Sequence, residues 1–246
     1  MARNSFFEFK QFRINQENCA MKVGTDGVLL GAWTPIPLST TRILDIGTGS
    51  GLLALMLAQR THAHIDAVEI DTLAAQQAKE NFISSPWSNR LQIYETDFQS
   101  FAKNELHKYD VIVSNPPYFH NSLHTPNRQR TIARHSDSLT LDELVDGVEK
   151  LLQPWGYFCV ILPTHESETV AKKALLANLY CTQKTFVYPT PTSPAKRIMQ
   201  LFSKKETTPR TQHLVIEQEQ RHQYTKEYRC LCSCRSEEHT SELQSQ

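Results

Sequence analysis

The chain lacks the features of a membrane or secreted protein. None of its apolar runs approaches the roughly 20 residues that cross a bilayer, and residues 1–7 lack the apolar stretch of a signal peptide. Six cysteines are present, but the cluster at Cys230, Cys232 and Cys234 has no second pair at zinc-finger spacing. We therefore expect a cytoplasmic protein with no disulfide framework, no metal site and no membrane partner.

An excess of charge of one sign is also absent. Lys and Arg together number 26, as do Asp and Glu, so the formal net charge is zero, which weakly disfavours a general nucleic-acid binder. Local basic stretches at residues 128–135 and 196–205 fit either a binding patch or a solvated face. Internal repeats and an interdomain linker are missing, and 246 residues suit one large α/β domain.

Short apolar runs alternate with helical stretches from Arg42 onward. This alternation predicts βαβ units and a mostly parallel sheet. The last strands, at residues 185–188 and 198–202, follow each other without an intervening helix, so they predict an antiparallel hairpin at one edge.

A glycine-rich turn lies where the first predicted strand meets the first predicted helix. It contains Asp45, Gly47, Gly49 and Gly51, and Glu69 ends the next strand. Ligands bind at this edge of an open parallel sheet, and a carboxylate in the position of Glu69 suits the two hydroxyls of a ribose. A dinucleotide fingerprint would have its third glycine at position 52, where this sequence has leucine. The Gly-Lys-Ser/Thr of a phosphate loop is also absent.

This turn with its downstream acid resembles motifs I and II of the class I S-adenosylmethionine-dependent methyltransferases. The resemblance implies a Rossmann-like α/β fold with a mostly parallel seven-stranded sheet, an antiparallel edge hairpin and helices on both faces. It implies a cofactor site formed by Asp45, Gly47, Gly49, Gly51, Glu69 and Asp97. Asp97 matches the position that binds the adenine amino group, although an acid after a strand is also a common helix cap.

A second motif, Asn115-Pro116-Pro117-Tyr118, follows the buried strand at residues 111–114. An exocyclic amine or amide nitrogen is a poor nucleophile because its lone pair is delocalised. Two acceptors, the Asn115 side-chain oxygen and the Pro116 carbonyl, can bind its hydrogens and promote pyramidalisation. Pro117 helps to keep the turn rigid, and Tyr118 offers a stacking face for a planar base. The motif predicts methyl transfer to such a nitrogen.

The architecture around the motifs narrows the acceptor. Release-factor glutamine methyltransferases usually carry a helical domain of about 70 residues before the glycine motif, but only residues 1–44 precede Asp45 here. DNA adenine methyltransferases normally add a target-recognition domain, for which no residues are left over. A glutamine methyltransferase and a non-catalytic cofactor- or RNA-binding module remain the alternatives.

The N-terminal block that contains Lys22, Thr25 and Asp26 resembles the bacterial tRNA1(Val) (adenine(37)-N6)-methyltransferase family, as does the step Arg134-His135. This resemblance implies N6-methylation of adenosine 37 in the anticodon loop of a valine tRNA by a monomer. Lys22, Thr25 and Asp26 would then help to bind the cofactor, unless Asp26 simply caps a helix at residues 27–33. Arg134 and His135 would contact tRNA phosphates or form a structural salt bridge.

Three segments are expected along the chain. Residues 1–41 form a segment that covers substrate and cofactor, and residues 42–229 form the methyltransferase domain. Residues 230–246 form an aberrant tail, since the part from Arg235 onward resembles the conceptual translation of a sequencing-adaptor oligonucleotide.

Overall fold

The computed structural model describes residues 5–116 and 139–235. The strands are β1 (Phe6–Glu8), β2 (Arg13–Asn15), β3 (Arg42–Ile46), β4 (His64–Glu69), β5 (Leu91–Glu95), β6 (Tyr109–Ser114), β7 (Leu152–Pro163), β8 (Tyr180–Tyr188), β9 (Arg197–Ser203) and β10 (Arg210–Val215). The helices are α1 (Thr25–Trp33), α2 (Leu52–Ala58), α3 (Thr72–Ile83), α4 (Phe98–Asn104), α5 (Leu141–Leu151), α6 (Thr164–Leu176) and α7 (Lys226–Arg235). No helix within these two ranges is long and apolar enough to cross a membrane.

The main sheet has the strand order β10-β8-β9-β7-β6-β3-β4-β5, and β1 and β2 form a separate antiparallel pair. Among the described strands of this sheet only β9 runs antiparallel to its neighbours, so the predicted fold class is confirmed. Within residues 5–116 and 139–235 the sheet has eight strands instead of the predicted seven, because β10 adds to the edge in parallel with β8. The hydrophobic pattern did not predict β10 because, of its six residues, only Leu214 is buried.

Alternate residues of the central strands face two separate hydrophobic cores, as expected for strands covered on both faces. One core contains Ile43 and Val111 together with side chains from α1, α2 and the N-terminal segment. The other contains Leu44 and Ile112 together with side chains from α4, α5 and α6. The two layers of helices fix the strand ends, which is where the candidate site lies.

The C-terminal helix α7 belongs to the first core. Tyr228 and Cys232 are each 2% exposed and pack within it. The predicted tail boundary at residue 230 therefore falls inside a helix, and residues 236–246 lie outside the described residues.

Candidate active site at the carboxyl ends of the strands

The register of β3 and β6 brings the two predicted motifs side by side. Ile46, the last residue of β3, pairs with Ser114, the last residue of β6. The buried Ser114 hydroxyl also donates to the Ile46 carbonyl oxygen at 3.0 Å. Gly47 and Asn115 therefore leave adjacent strands at the same edge of the sheet.

The glycine turn has an open face. Gly47 and Gly49 have φ angles of 69° and 57°, which favour glycine, and a Cβ atom built on either would meet nothing within 4 Å. At Gly51, by contrast, a Cβ atom would lie 2.5 Å from Cε1 of Phe82. The first two glycines thus border a space that side chains would fill, and the third allows α2 to start close to α3.

Asp45 is fully buried beneath this turn. Its Oδ2 atom accepts hydrogen bonds from the Thr48 hydroxyl at 2.6 Å and from the Ala54 backbone N–H at 3.1 Å. Its Oδ1 atom has no hydrogen-bond partner in the described parts of the chain. Burial raises the pKa of Asp45 from 3.8 to about 7, although the two hydrogen bonds lower it. An unsatisfied buried carboxylate oxygen is the group that a cationic ligand would stabilise.

Glu69 ends β4 next to the turn, as predicted. Its Oε2 atom accepts from the Gly49 backbone N–H at 2.8 Å, and its Oε1 atom accepts from the Asp71 backbone N–H at 3.0 Å. The two bonds fix the carboxylate beside the open glycine face. Each oxygen has further lone-pair capacity, so the group can still accept from ligand hydroxyls.

Asp97 follows β5, the next strand of the sheet. Its Oδ1 atom accepts from the Ser100 backbone N–H at 2.7 Å and caps α4, and this hydrogen bond lowers the pKa of Asp97. Asp97 is therefore a helix cap, which is the alternative that the sequence left open. The cap does not exclude adenine binding, because a carboxylate accepts several hydrogen bonds.

Asn115 lies close to the first turn of α1. A Cβ atom built on Gly27 would lie 2.8 Å from Leu52 Cδ2 and 3.7 Å from Asn115 Nδ2. Glycine at position 27 therefore permits the close approach of α1 to Asn115. Pro116 is buried beside it. The N-terminal block and the acceptor motif thus meet in space.

Two of the remaining residues of the N-terminal block, Lys22 and Asp26, have protein partners. The Lys22 ammonium donates to the carbonyl oxygens of Gln16 and Glu17, and Thr25 is exposed at the start of α1. Asp26 forms an ion pair with Arg197 of β9, with 2.8 Å between Oδ2 and Nε. The cap of α1 is Gly24, so Asp26 does not fill the capping role.

Pro117, Tyr118, Arg134 and His135 lie outside the described residues. Their predicted roles in stacking and in tRNA contact stay predictions. No group of three or more potential metal ligands occurs within residues 5–116 and 139–235.

The sequence patterns did not indicate three residues that support the site: Thr48, Asn81 and Arg197. Thr48 follows Gly47 directly and could have been recognised as a hydroxyl donor to Asp45. Asn81 and Arg197 act on partners far away in the sequence, and no local pattern signals such contacts.

Relatives of known name align with most of the chain. The family model of the methyltransferase small domain matches residues 27–184. A Bacteroides fragilis protein named tRNA1(Val) (adenine(37)-N6)-methyltransferase is 49% identical, and the alignment covers 91% of this chain and 94% of the relative. Relatives with the same name from Flavobacterium psychrophilum and Pectobacterium carotovorum are 48% and 46% identical, with coverage of 92% and 96% and of 89% and 89%.

The chain belongs to this methyltransferase family. Solved structures agree on the fold of the methyltransferase. A predicted O-methyltransferase from Agrobacterium tumefaciens superimposes with a TM-score of 0.64 at 17% identity, covering 86% of this chain and 97% of its own. The glycopeptide N-methyltransferase MtfA, solved with S-adenosylmethionine, gives a TM-score of 0.54 at 11% identity, with coverage of 75% and 90%.

Proposed function

We propose that this chain transfers the methyl group of S-adenosylmethionine to N6 of adenosine 37 in the anticodon loop of tRNA1(Val), acting as a cytoplasmic monomer. The observation that carries the proposal is the adjacency of the open glycine turn and Asn115, created by the pairing of Ile46 with Ser114. The names of relatives at 46–49% identity support the choice of acceptor.

The residues around the glycine turn fit the cofactor. Gly47 and Gly49 leave open space, the Asp45 Oδ1 atom lacks a partner in the described chain, and Glu69 is held in place by two backbone N–H groups. We infer that Asp45 faces the methionine part, that Glu69 holds the ribose, and that Asp97 accepts from the adenine amino group. When bound, S-adenosylmethionine supplies an electrophilic methyl group on its sulfonium sulfur.

Asn115 and Pro116 would prepare the acceptor. The Asn115 side-chain oxygen and the Pro116 carbonyl accept the two hydrogens of the exocyclic amine, which favours the pyramidal nitrogen that attack requires. The start of α1 at Gly27 lies close to the Asn115 amide. The proton can leave to water after methyl transfer, so the main contribution of the site is positioning.

The anticodon loop suits this site as a substrate. Its nucleotides are already unpaired, so exposing one adenine costs less than flipping a base out of a duplex. In the proposed complex Pro117 stiffens the turn, Tyr118 stacks on the base, and Arg134 and His135 contact tRNA phosphates. Lys22, Thr25 and Asp26 border the cofactor at the start of α1.

A label-transfer assay tests the proposal. The protein is incubated with methyl-labelled S-adenosylmethionine and, in separate reactions, with total tRNA, duplex DNA or a release factor. Label in tRNA alone is expected. Label in the release factor would favour a glutamine methyltransferase, and cofactor binding without label in any acceptor would favour a non-catalytic module.

A further inference from the structure

Asn81 on α3 holds together two parts of the chain that are distant in sequence. Its amide nitrogen Nδ2 donates to the Ser50 carbonyl oxygen at 2.8 Å and to the Asn15 carbonyl oxygen at 2.8 Å. Its Oδ1 atom accepts from the Asn15 backbone N–H at 2.9 Å. Ser50 belongs to the glycine turn and Asn15 ends β2, so one side chain connects the turn to the N-terminal segment.

The environment of Asn81 makes these bonds hard to replace. The residue is 1% exposed, so water cannot readily satisfy the partners if the amide is lost. Both Nδ2 hydrogens are used by carbonyl oxygens, which means that any side chain without two donors leaves at least one of them unpaired. Gln77, one turn earlier on α3 and 3% exposed, accepts from the Asn18 backbone N–H at 3.5 Å.

Asn81 and Gln77 form a buried polar stripe on α3. The other residues of this helix are apolar or face the solvent. The stripe binds the backbone of residues 15–18, and Lys22 then folds back onto the carbonyl oxygens of Gln16 and Glu17. The chain continues from there into α1, which contacts Asn115 through Gly27. Displacement of residues 15–18 would therefore disturb both the glycine turn and the approach to Asn115.

We propose that Asn81 is a positioning residue for the cofactor site, because it fixes the glycine turn and the N-terminal segment relative to each other. The inference rests on the proposed use of the glycine turn for S-adenosylmethionine. Asn81 would not touch the ligand. Its contribution would be to hold Gly49 and Ser50 in the conformation that binds it.

The test compares Asn81→Ala with two controls. Asn104→Ala removes an exposed amide that donates within α4, to the Ser100 carbonyl oxygen. Val170→Ala removes methyl groups from a fully buried site in the opposite core, so it lowers stability without touching the turn. We expect Asn81→Ala to weaken the binding of S-adenosylhomocysteine about tenfold, as measured by calorimetry. The KM for S-adenosylmethionine should change more than kcat at saturating cofactor. Both controls should bind as the wild type does.

Hydrogen exchange provides a measurement on the wild-type protein, which does not depend on how well the variant folds. Saturating S-adenosylhomocysteine is expected to slow exchange of the Asn15 amide, because Asn81 connects that amide to the glycine turn. Unchanged exchange, equal binding by Asn81→Ala, or an equal loss of affinity in Val170→Ala would overturn the proposal. If the wild type binds no S-adenosylhomocysteine, the proposed function fails instead.

Discussion

Acidic residues at the two ends of the central strands have different surroundings. At the amino ends, Asp110 accepts from the Thr41 and Arg42 backbone N–H groups, the Thr41 hydroxyl and the Trp155 indole. At the carboxyl ends, the Asp45 Oδ1 atom has no partner in the described chain. A fully bonded carboxylate stabilises the fold, whereas an unsatisfied one keeps its capacity for a ligand. Substitutions at the two ends should therefore separate stability from function.

The largest effect is expected for Asn115→Ala at the carboxyl end. Loss of the acceptor oxygen should lower kcat by about 10² or more, the range seen when one transition-state hydrogen bond is removed. Affinity for S-adenosylhomocysteine should stay within about twofold of the wild type, since Asn115 lies on the acceptor side. Initial rates and calorimetry measure the two quantities. Turnover near that of the wild type would disprove the proposed role.

Asp110→Ala tests the amino end. It removes the shared acceptor of four donor groups, so the free energy of unfolding should fall by about 2 kcal/mol. Hydrogen bonding lowers the pKa of Asp110, so the stabilisation is present at neutral pH and is lost as the pH falls through that lowered pKa. Urea titration at several pH values measures this loss. A weaker affinity of this variant for S-adenosylhomocysteine would show that the two ends of the central strands are not independent.

Asp45→Asn should weaken ligand binding, whereas Asp110→Ala should lower stability. Asparagine retains an oxygen for Thr48 and Ala54 but removes the charge, so S-adenosylhomocysteine should bind about tenfold more weakly above pH 7. Because the folded pKa of about 7 lies above the ordinary 3.8, the folded wild type binds more protons between these values. Its stability contribution therefore decreases as the pH rises from about 4 to about 7, and the variant should lack this slope.

The same residue makes a prediction for binding. The ammonium group of S-adenosylhomocysteine favours ionised Asp45, so wild-type affinity should increase with pH up to about 7 and then level off. Calorimetry in buffers of different ionisation enthalpy should detect proton release at pH 6.5. A pH-independent affinity shared by the wild type and Asp45→Asn would contradict the assignment of Asp45 to the methionine part.

The smallest effect is expected for Arg197→Ala. The ion pair with Asp26 is partly exposed, with side-chain exposures of 26% and 21%, and such pairs contribute about 0.5–1 kcal/mol. Affinity for S-adenosylhomocysteine should fall about twofold to threefold, because the first turn of α1 is less well fixed. Arg210→Ala, an exposed residue at the start of β10, is the matched control and should change neither affinity nor stability.

The sequence predicted those parts of the molecule that depend on local patterns. Helix α3 (Thr72–Ile83) is one of the helical stretches that alternate with the apolar runs, and Asp71 caps it by accepting from the Ala74 N–H at 2.8 Å. The glycine turn and the end of β6 were also recognised, because glycine and proline leave clear local signals. The partners of Asp26 and Asn15 were not, since Arg197 and Asn81 are separated from them by long stretches of chain. Such pairs follow from tertiary packing alone.

Nucleoside analysis of tRNA1(Val) tests the central claim most directly. Unmodified tRNA1(Val) is incubated with S-adenosylmethionine and either the wild type or Asn115→Ala, then digested and examined by mass spectrometry. We expect N6-methyladenosine in the fragment containing position 37 with the wild type, and about 100-fold less or lower still with the variant after the same short incubation. Methylation at another position, or equal methylation by both proteins, would contradict it.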